Sequence, residues 1–257
     1  MRSISILVLL LLAVGQNFAQ RKMEYLDRGL VGIKTSPSSA FLSWRLLGTD
    51  EYATAFNLYR QYGKEKKTKL NSAPLMAGTN YEDKDLQSDR EVTYALTLID
   101  GKKESEVAKF TFSKNHSNEP FLNIPLRTPK GYTPGDVSVG DLDGDGVYEL
   151  VVHQVGIARD NAHNGITSEP IFQAYKLDGT FLWEINLGKN IREGAHYTQF
   201  MLYDLDSDGR AELVCKTADG TKDGLGKYIG NAQADWRDTV RTSRFYGRIL
   251  EGPEYLT

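Results

Sequence analysis

Short segments of alternating apolar and polar residues run through the first half of the chain: LVGI (30–33), AFLSW (40–44), AFNLYR (55–60), VTYALTL (92–98) and AKFTFS (108–113). Side chains two apart in an extended strand share a face, so Ala40, Leu42 and Trp44 make one buried row and Tyr94, Leu96 and Leu98 another. Turn-rich or charged stretches separate these strands. The spacing predicts a β-sandwich of the immunoglobulin or fibronectin type III kind over residues 21–118, with Trp44 anchoring the core and Tyr94 as its tyrosine corner. The basic run KEKKTK (64–69) has no interleaved aromatic residue and reads as a solvated loop. KNHSNEP (114–120) has none of the large apolar residues a core needs and reads as a linker, which begins a second unit at residue 119.

The pattern then changes. VGDLDGDGVYELVV (139–152) and LYDLDSDGRAELVC (202–215) set nearly the same acidic loop between apolar runs, 63 residues apart. Asp141, Asp143 and Asp145 alternate, followed by Gly146 and Glu149; Asp204, Asp206, Asp208, Gly209 and Glu212 repeat the spacing. Carboxylates so spaced repel one another unless they share a cation. A hard ion with many oxygen ligands, wrapped by a loop that bends at glycine, resolves the repulsion, and calcium is that ion. An EF-hand closes with an acidic ligand where these loops have Val152 and Cys215, and the flanks are β-branched and aromatic. Each loop therefore reads as a strand-loop-strand Ca2+ site, completed by a backbone carbonyl near Val147 or Arg210.

Between the copies, IFQAYKLDGTFLWEI (171–185) reads as a hairpin turning on the two residues Asp178-Gly179. Strand, acidic loop, strand and hairpin make four strands per repeat, which is a β-propeller blade. Propellers close with about four to eight blades. Residues 119–257 supply about two, so the expectation is an all-β chain whose propeller is partial, its remaining blades lying beyond Thr257.

Composition removes several alternatives. Lys and Arg number 31 against 34 Asp and Glu, a net charge of −3, without the basic excess that nucleic-acid binding needs. The single cysteine, Cys215, forms no internal disulfide and sits in an apolar run as a small buried hydrophobe. The first 20 residues, MRSISILVLLLLAVGQNFAQ, have one early arginine and an apolar run shorter than the ~20 residues that cross a bilayer. They read as a signal peptide cleaved near Gln20, so the protein is expected to be secreted, periplasmic or at the cell surface, with no membrane span.

The strings RGLVGIKT, FLSWRLLGTD, FNLYR and GDLDGDGVYELVV, and above all AYKLDGTFLWEINLGKNIREGAHYTQFMLYDLDSDGRAELVCKTADGTKDG (174–224), resemble secreted bacterial rhamnogalacturonan lyases of the calcium-dependent β-propeller type. The resemblance runs over essentially the whole chain after residue 20. It implies a fibronectin type III-like β-sandwich followed by an eight-bladed propeller that binds several calcium ions. It also implies a rhamnogalacturonan endolyase that cleaves the rhamnogalacturonan I backbone of pectin by β-elimination. The catalytic base and its helper, a lysine and an arginine, belong to later blades in the family. They are expected beyond Thr257, and residues 21–257 alone are expected to be inactive.

Residues at the blade ends are the candidates for substrate contact. KTADGTKDG brings Lys216, Asp219, Lys222 and Asp223, NIREGAHY brings Arg192 and His196, and the long polar insertion 153–169 brings Asp160, Asn161 and Asn164. For Arg192 and Lys216 the alternatives are galacturonate carboxylates or an ion pair with a nearby aspartate. For Asp219 and Asp223 they are a further calcium or a sugar. The competing function is a non-catalytic calcium propeller for adhesion or glycan binding.

Overall fold

The computed structural model describes residues 26–257 apart from 77, 115, 117, 118, 120 and 161, so the signal-peptide expectation and Asn161 lie outside the described residues. No helix occurs among the described residues, and none therefore is long and apolar enough to cross a membrane.

Seven strands build the first half: β1 (Val31–Ser36), β2 (Ser39–Ser43), β3 (Ala55–Tyr62), β4 (Thr68–Lys69), β5 (Asn80–Asp83), β6 (Val92–Asp100) and β7 (Lys103–Phe112). They form two antiparallel sheets, ordered β1-β2-β5 and β4-β3-β6-β7. One cluster joins them, with Ala40, Leu42 and Trp44 from the first sheet and its edge meeting Phe56, Leu58, Val92, Tyr94, Leu96 and Phe112 from the second. Trp44 stands edge-on to Phe56 at 5.8 Å between ring centroids. Burial of this apolar surface is the main force holding the sheets together.

Two local expectations are corrected. The Tyr94 hydroxyl does not reach a backbone carbonyl as a tyrosine corner does. It donates to Asp83 Oδ2 at 2.7 Å, and Asp83 in turn holds the Arg60 guanidinium at 2.8 Å, so a buried carboxylate takes the place of the backbone acceptor. Burial, with the Asp83 bond and charge, pushes the Tyr94 phenol far above its ordinary range. KEKKTK is exposed, but its last two residues are β4, paired with Tyr59 and Arg60. Part of the expected linker is anchored: His116 stacks edge-on against Phe112 at 4.7 Å.

The second half contains β8 (Thr133–Gly140), β9 (Glu149–Val155), β10 (Ile171–Tyr175), β11 (Phe181–Asn186), β12 (Phe200–Tyr203), β13 (Glu212–Ala218) and β14 (Glu254–Leu256). The first four make an antiparallel meander, ordered β11-β10-β9-β8, and the last three a sheet ordered β12-β13-β14. Val151 and Phe172 of the meander pack with Leu202, Cys215 and Ala218 of its neighbour, and the Phe172 and Phe200 rings approach to 4.6 Å. Cys215 is buried in that core, and burial raises its thiol pKa to about 11.

The β10–β11 turn is one residue longer than expected. Lys176 N–H donates to Thr180 O and Gly179 N–H donates to Lys176 O, which closes a loop of three residues, Leu177, Asp178 and Gly179. Gly179 sits at φ +86°, and farther along the ladder the register slips at Ala174/Tyr175, opposite Leu182. This is a glycine-bulge hairpin, and its extra residue accommodates the added twist.

Candidate functional site

The two acidic loops join equivalent strands, β8 to β9 and β12 to β13, and share most of their hydrogen bonds. Leu142 N–H donates to Glu149 Oε2 at 2.8 Å, and Leu205 N–H to Glu212 Oε2 at 2.7 Å. Gly146 and Gly209 N–H donate to Asp141 and Asp204 at 2.9 and 3.1 Å. Asp145 and Asp208 N–H donate to Asp143 and Asp206, while Val147 and Arg210 N–H donate back to Asp145 and Asp208. Gly146 and Gly209, at φ +87° and +96°, permit the bend that aims these amides inward.

Each loop gathers three carboxylates whose oxygens lie within 4.8 Å of one another: Asp141, Asp143 and Glu149 in one, Asp204, Asp206 and Glu212 in the other. Asp145 and Asp208 stay outside these triads, each accepting the amide two residues on. Asp141, Glu149 and Asp204 are buried. Burial, reinforced by Asp143 and Asp145, lifts the Glu149 pKa above the usual carboxylate range. The loops also touch: Ala211 N–H donates to Asp141 O at 2.7 Å.

The loops differ in their surroundings. From the hairpin, Lys176 Nζ reaches into the first, 2.5 Å from Asp143, 3.3 Å from Asp145 and 3.8 Å from Glu149. The first loop also meets the N-terminal sheets, because Gly146 O accepts Asp27 N–H at 3.1 Å and Arg45 lies 4.8 Å over the Tyr148 ring.

The blade-end candidates scatter into several roles. Arg192 is 4% exposed and its guanidinium donates to the carbonyls of Gly165 at 3.0 Å and Gly247 at 2.5 Å, with His163 and Asp160 also in reach. It staples the 156–170 loop to the 219–253 loop, where an ion pair with an aspartate was one expectation. Lys216 pairs across β13–β14 with Glu254 at 2.9 Å. The buried Asp219 carboxylate accepts Asn231 N–H at 2.8 Å and Trp236 Nε1–H at 3.0 Å. Asp223 caps a tight turn through Leu225 and Lys227 N–H. Lys222 and Asn164 are exposed, and the exposed His196 lies 3.4 Å from Asp160.

Two residues not singled out from sequence stand at a second feature. A cavity of about 510 Å³ lies between β8 and β12, lined by Asp136, Ser138, Thr198, Gln199 and Phe200 together with a buried pair, His153 and Glu193. His153 Nε2 is 3.0 Å from Glu193 Oε2, and Thr198 Oγ1 donates to the other Glu193 oxygen at 3.4 Å. His153 opens the 153–169 insertion and Glu193 lies in NIREGAHY, but thirty-nine intervening residues hide their pairing.

Comparison with known families gives this arrangement its context. The sequence model for rhamnogalacturonan lyase family 11, C-terminal domain, matches residues 124–257, and that for the rhamnogalacturonan I lyases beta-sheet domain matches residues 21–112. The chain belongs to rhamnogalacturonan lyase family 11.

Among curated proteins of this kind, it is 47% identical to the rhamnogalacturonan exolyase YesX of Bacillus subtilis, an alignment covering 93% of this chain and 38% of YesX. It is 46% identical to the rhamnogalacturonan endolyase YesW of the same organism, covering 99% of this chain and 41% of YesW. The chain thus spans about two fifths of the length of these relatives. Solved structures agree: that of YesX superposes with a TM-score of 0.79 at 46% identity, over 92% of this chain and 38% of that one. The rhamnogalacturonan lyase PL11 of Bacillus licheniformis gives 0.79 at 45%, over 92% and 40%.

For a family member, the question at the acidic loops is which cation they suit. Their donors are all oxygen, mostly charged, and folded around glycine bends, which fits a hard divalent ion. The Lys176 ammonium lies against the first triad as a stand-in for positive charge. The two triads are therefore groups that could hold a metal ion.

Proposed function

We propose that this chain is the sandwich and first blades of a calcium-dependent rhamnogalacturonan lyase acting on pectic rhamnogalacturonan I. The observation that carries the reading is its 46–47% identity, across more than nine tenths of its length, to an endolyase and an exolyase of that polysaccharide. In this reading residues 21–118 are a fibronectin type III-like domain, residues 119–257 are propeller blades, and residues 1–20 direct export. Endolytic cleavage follows the resemblance stated from sequence. The nearly equal identity to an exolyase assigns the choice of mode to features that the two relatives do not share.

β-Elimination removes the proton at carbon 5 of a galacturonate unit, beside its carboxylate, and expels the rhamnose oxygen from carbon 4. A base takes the proton, and positive charge offsets what develops on a group already anionic. The proton-abstracting groups belong to the portion of the relatives that these residues do not span, so none is assigned here. Asp141, Asp143 and Glu149, with Asp204, Asp206 and Glu212, would hold calcium; Asp145 and Asp208 would turn toward it or stay as loop braces. Calcium there neutralises the clustered carboxylates and fastens each strand pair. The protein's own share is to fix the blade ends, through Arg192, Asp219 and Asn190, where a polysaccharide would lie.

The test incubates the complete polypeptide carrying this sequence with rhamnogalacturonan I and follows the ultraviolet absorbance of unsaturated uronate, with and without a chelator. A rise that chelation abolishes is expected. No rise in the presence of calcium overturns the lyase reading, and a rise indifferent to chelation overturns its calcium dependence.

A further inference from the structure

A small cavity of about 230 Å³ opens where β13 and β14 meet the 219–253 loop, and its charge is unbalanced. Arg192, Lys216 and Arg248 line it against a single acid, Glu254. Glu254 is already engaged by Lys216 at 2.9 Å. That leaves two guanidinium groups on one cavity with no carboxylate between them.

Arg192 answers its isolation with backbone carbonyls, which satisfy donors without cancelling charge. Its Nε remains buried with no partner, and so does Nε of Arg248. Both atoms are closed off from solvent, so the donors open to a ligand are the terminal N–H groups of Arg248, which make no hydrogen bond among the described residues. The crowding is also visible in Arg192, whose pKa is held below its ordinary value by burial and by the positive charges of Arg248 and Arg159. Arg248 carries no ion pair among the described residues; its guanidinium lies 5.8 Å over the Phe245 ring. Tyr197 and Ile249 add a partly apolar wall. A cavity this size is too small for an extended ligand and suits one acidic sugar unit or the edge of one. Guanidinium is the group of choice for a planar carboxylate.

We propose that this cavity is a carboxylate-binding subsite, in which Arg248 supplies N–H donors to one uronate carboxylate while Arg192 and Lys216 add positive charge. That the uronate is galacturonate rests on the lyase reading; that the ligand is a carboxylate rests on the cavity alone. The arrangement makes Arg248, in a stretch with no sequence signal, the main determinant of a carboxylate subsite outside both acidic triads.

The test titrates sodium galacturonate, and galactose as its neutral counterpart, into the complete polypeptide carrying this sequence and follows binding by calorimetry or protein NMR. Galacturonate is expected to bind and galactose not. Arg248→Met should weaken galacturonate at least tenfold, whereas Arg244→Met, on an exposed neighbour outside the cavity, should leave it unchanged. Glu254→Gln should tighten it severalfold, a gain that misfolding cannot produce. Equal binding of galactose, no binding of either sugar, or equal effects of the two arginine variants overturns the subsite. Since the readout is binding and not cleavage, its failure is distinguishable from failure of the lyase reading, which is judged by unsaturated uronate.

Discussion

At Ser207 the second acidic loop holds a left-handed backbone, φ +65°, on a residue with a side chain, whereas the equivalent position of the first loop is Gly144 at φ +79°. The loop geometry demands that conformation, because it turns the following amides toward the carboxylates. A non-glycine residue there costs about 1–2 kcal/mol, against about 0.5–1 kcal/mol for the extra freedom glycine gives the unfolded chain. Ser207→Gly is therefore expected to stabilise the protein by up to about 1 kcal/mol, read as a higher urea midpoint at unchanged slope; a lower midpoint would show that the serine makes a compensating contact. Cys215 offers a second residue-scale check. With its thiol buried and its pKa raised to about 11, it should resist alkylation at pH 8 in the native protein and react fully in denaturant. The sign follows from burial: the neutral thiol is favoured over the thiolate until well above that pH. Sequence had already marked this cysteine as a core hydrophobe. It had no means of marking Arg248 or the His153–Glu193 pair, whose significance lies in partners far along the chain.

Among the elements, the β10–β11 hairpin does more than complete a sheet. Its Lys176 neutralises part of the first acidic loop, so a cation entering there must compete with an ammonium group. Lys176→Met should accordingly tighten calcium binding at the first loop while lowering metal-free stability, both measurable by calorimetry and thermal melting. Unchanged affinity would mean that the lysine swings clear when calcium binds. The strands with strong alternation, β1 to β3, β6 and β7, were all legible from pattern. Strands β4, β5 and β14 were not, since Thr68–Lys69, Asn80–Asp83 and Glu254–Leu256 are short and pair only because neighbouring strands offer open edges. The three-residue turn at Gly179 was hidden for a related reason: Asp-Gly serves hairpins of more than one length, and the pairing of Lys176 with Thr180 decides which.

Over the whole molecule, the first acidic loop is also a joint. Asp27 bonds to Gly146, Arg45 covers Tyr148, and Arg45 pairs with Asp27 at 3.0 Å, so the N-terminal sheets rest on the loop expected to hold metal. Calcium at a hundredfold excess over its dissociation constant should stabilise the folded chain by about 2.7 kcal/mol per site. If the joint transmits that effect, calcium raises a single melting transition, and Arg45→Ala splits off an N-terminal transition that no longer responds to calcium. Two independent transitions in the unaltered protein would dissolve the coupling. The sequence by itself determined the strand-rich character of the chain and the two acidic loops with their spacing, because period-two burial and carboxylate spacing are properties of adjacent residues, and it carried the family in long matching strings. Only the tertiary structure decided which carboxylates converge, that Lys176 joins them, that Arg192 clamps two loops and that Arg248 faces the same small cavity. Those outcomes depend on contacts between segments tens of residues apart, and such contacts are set by how the sheets pack.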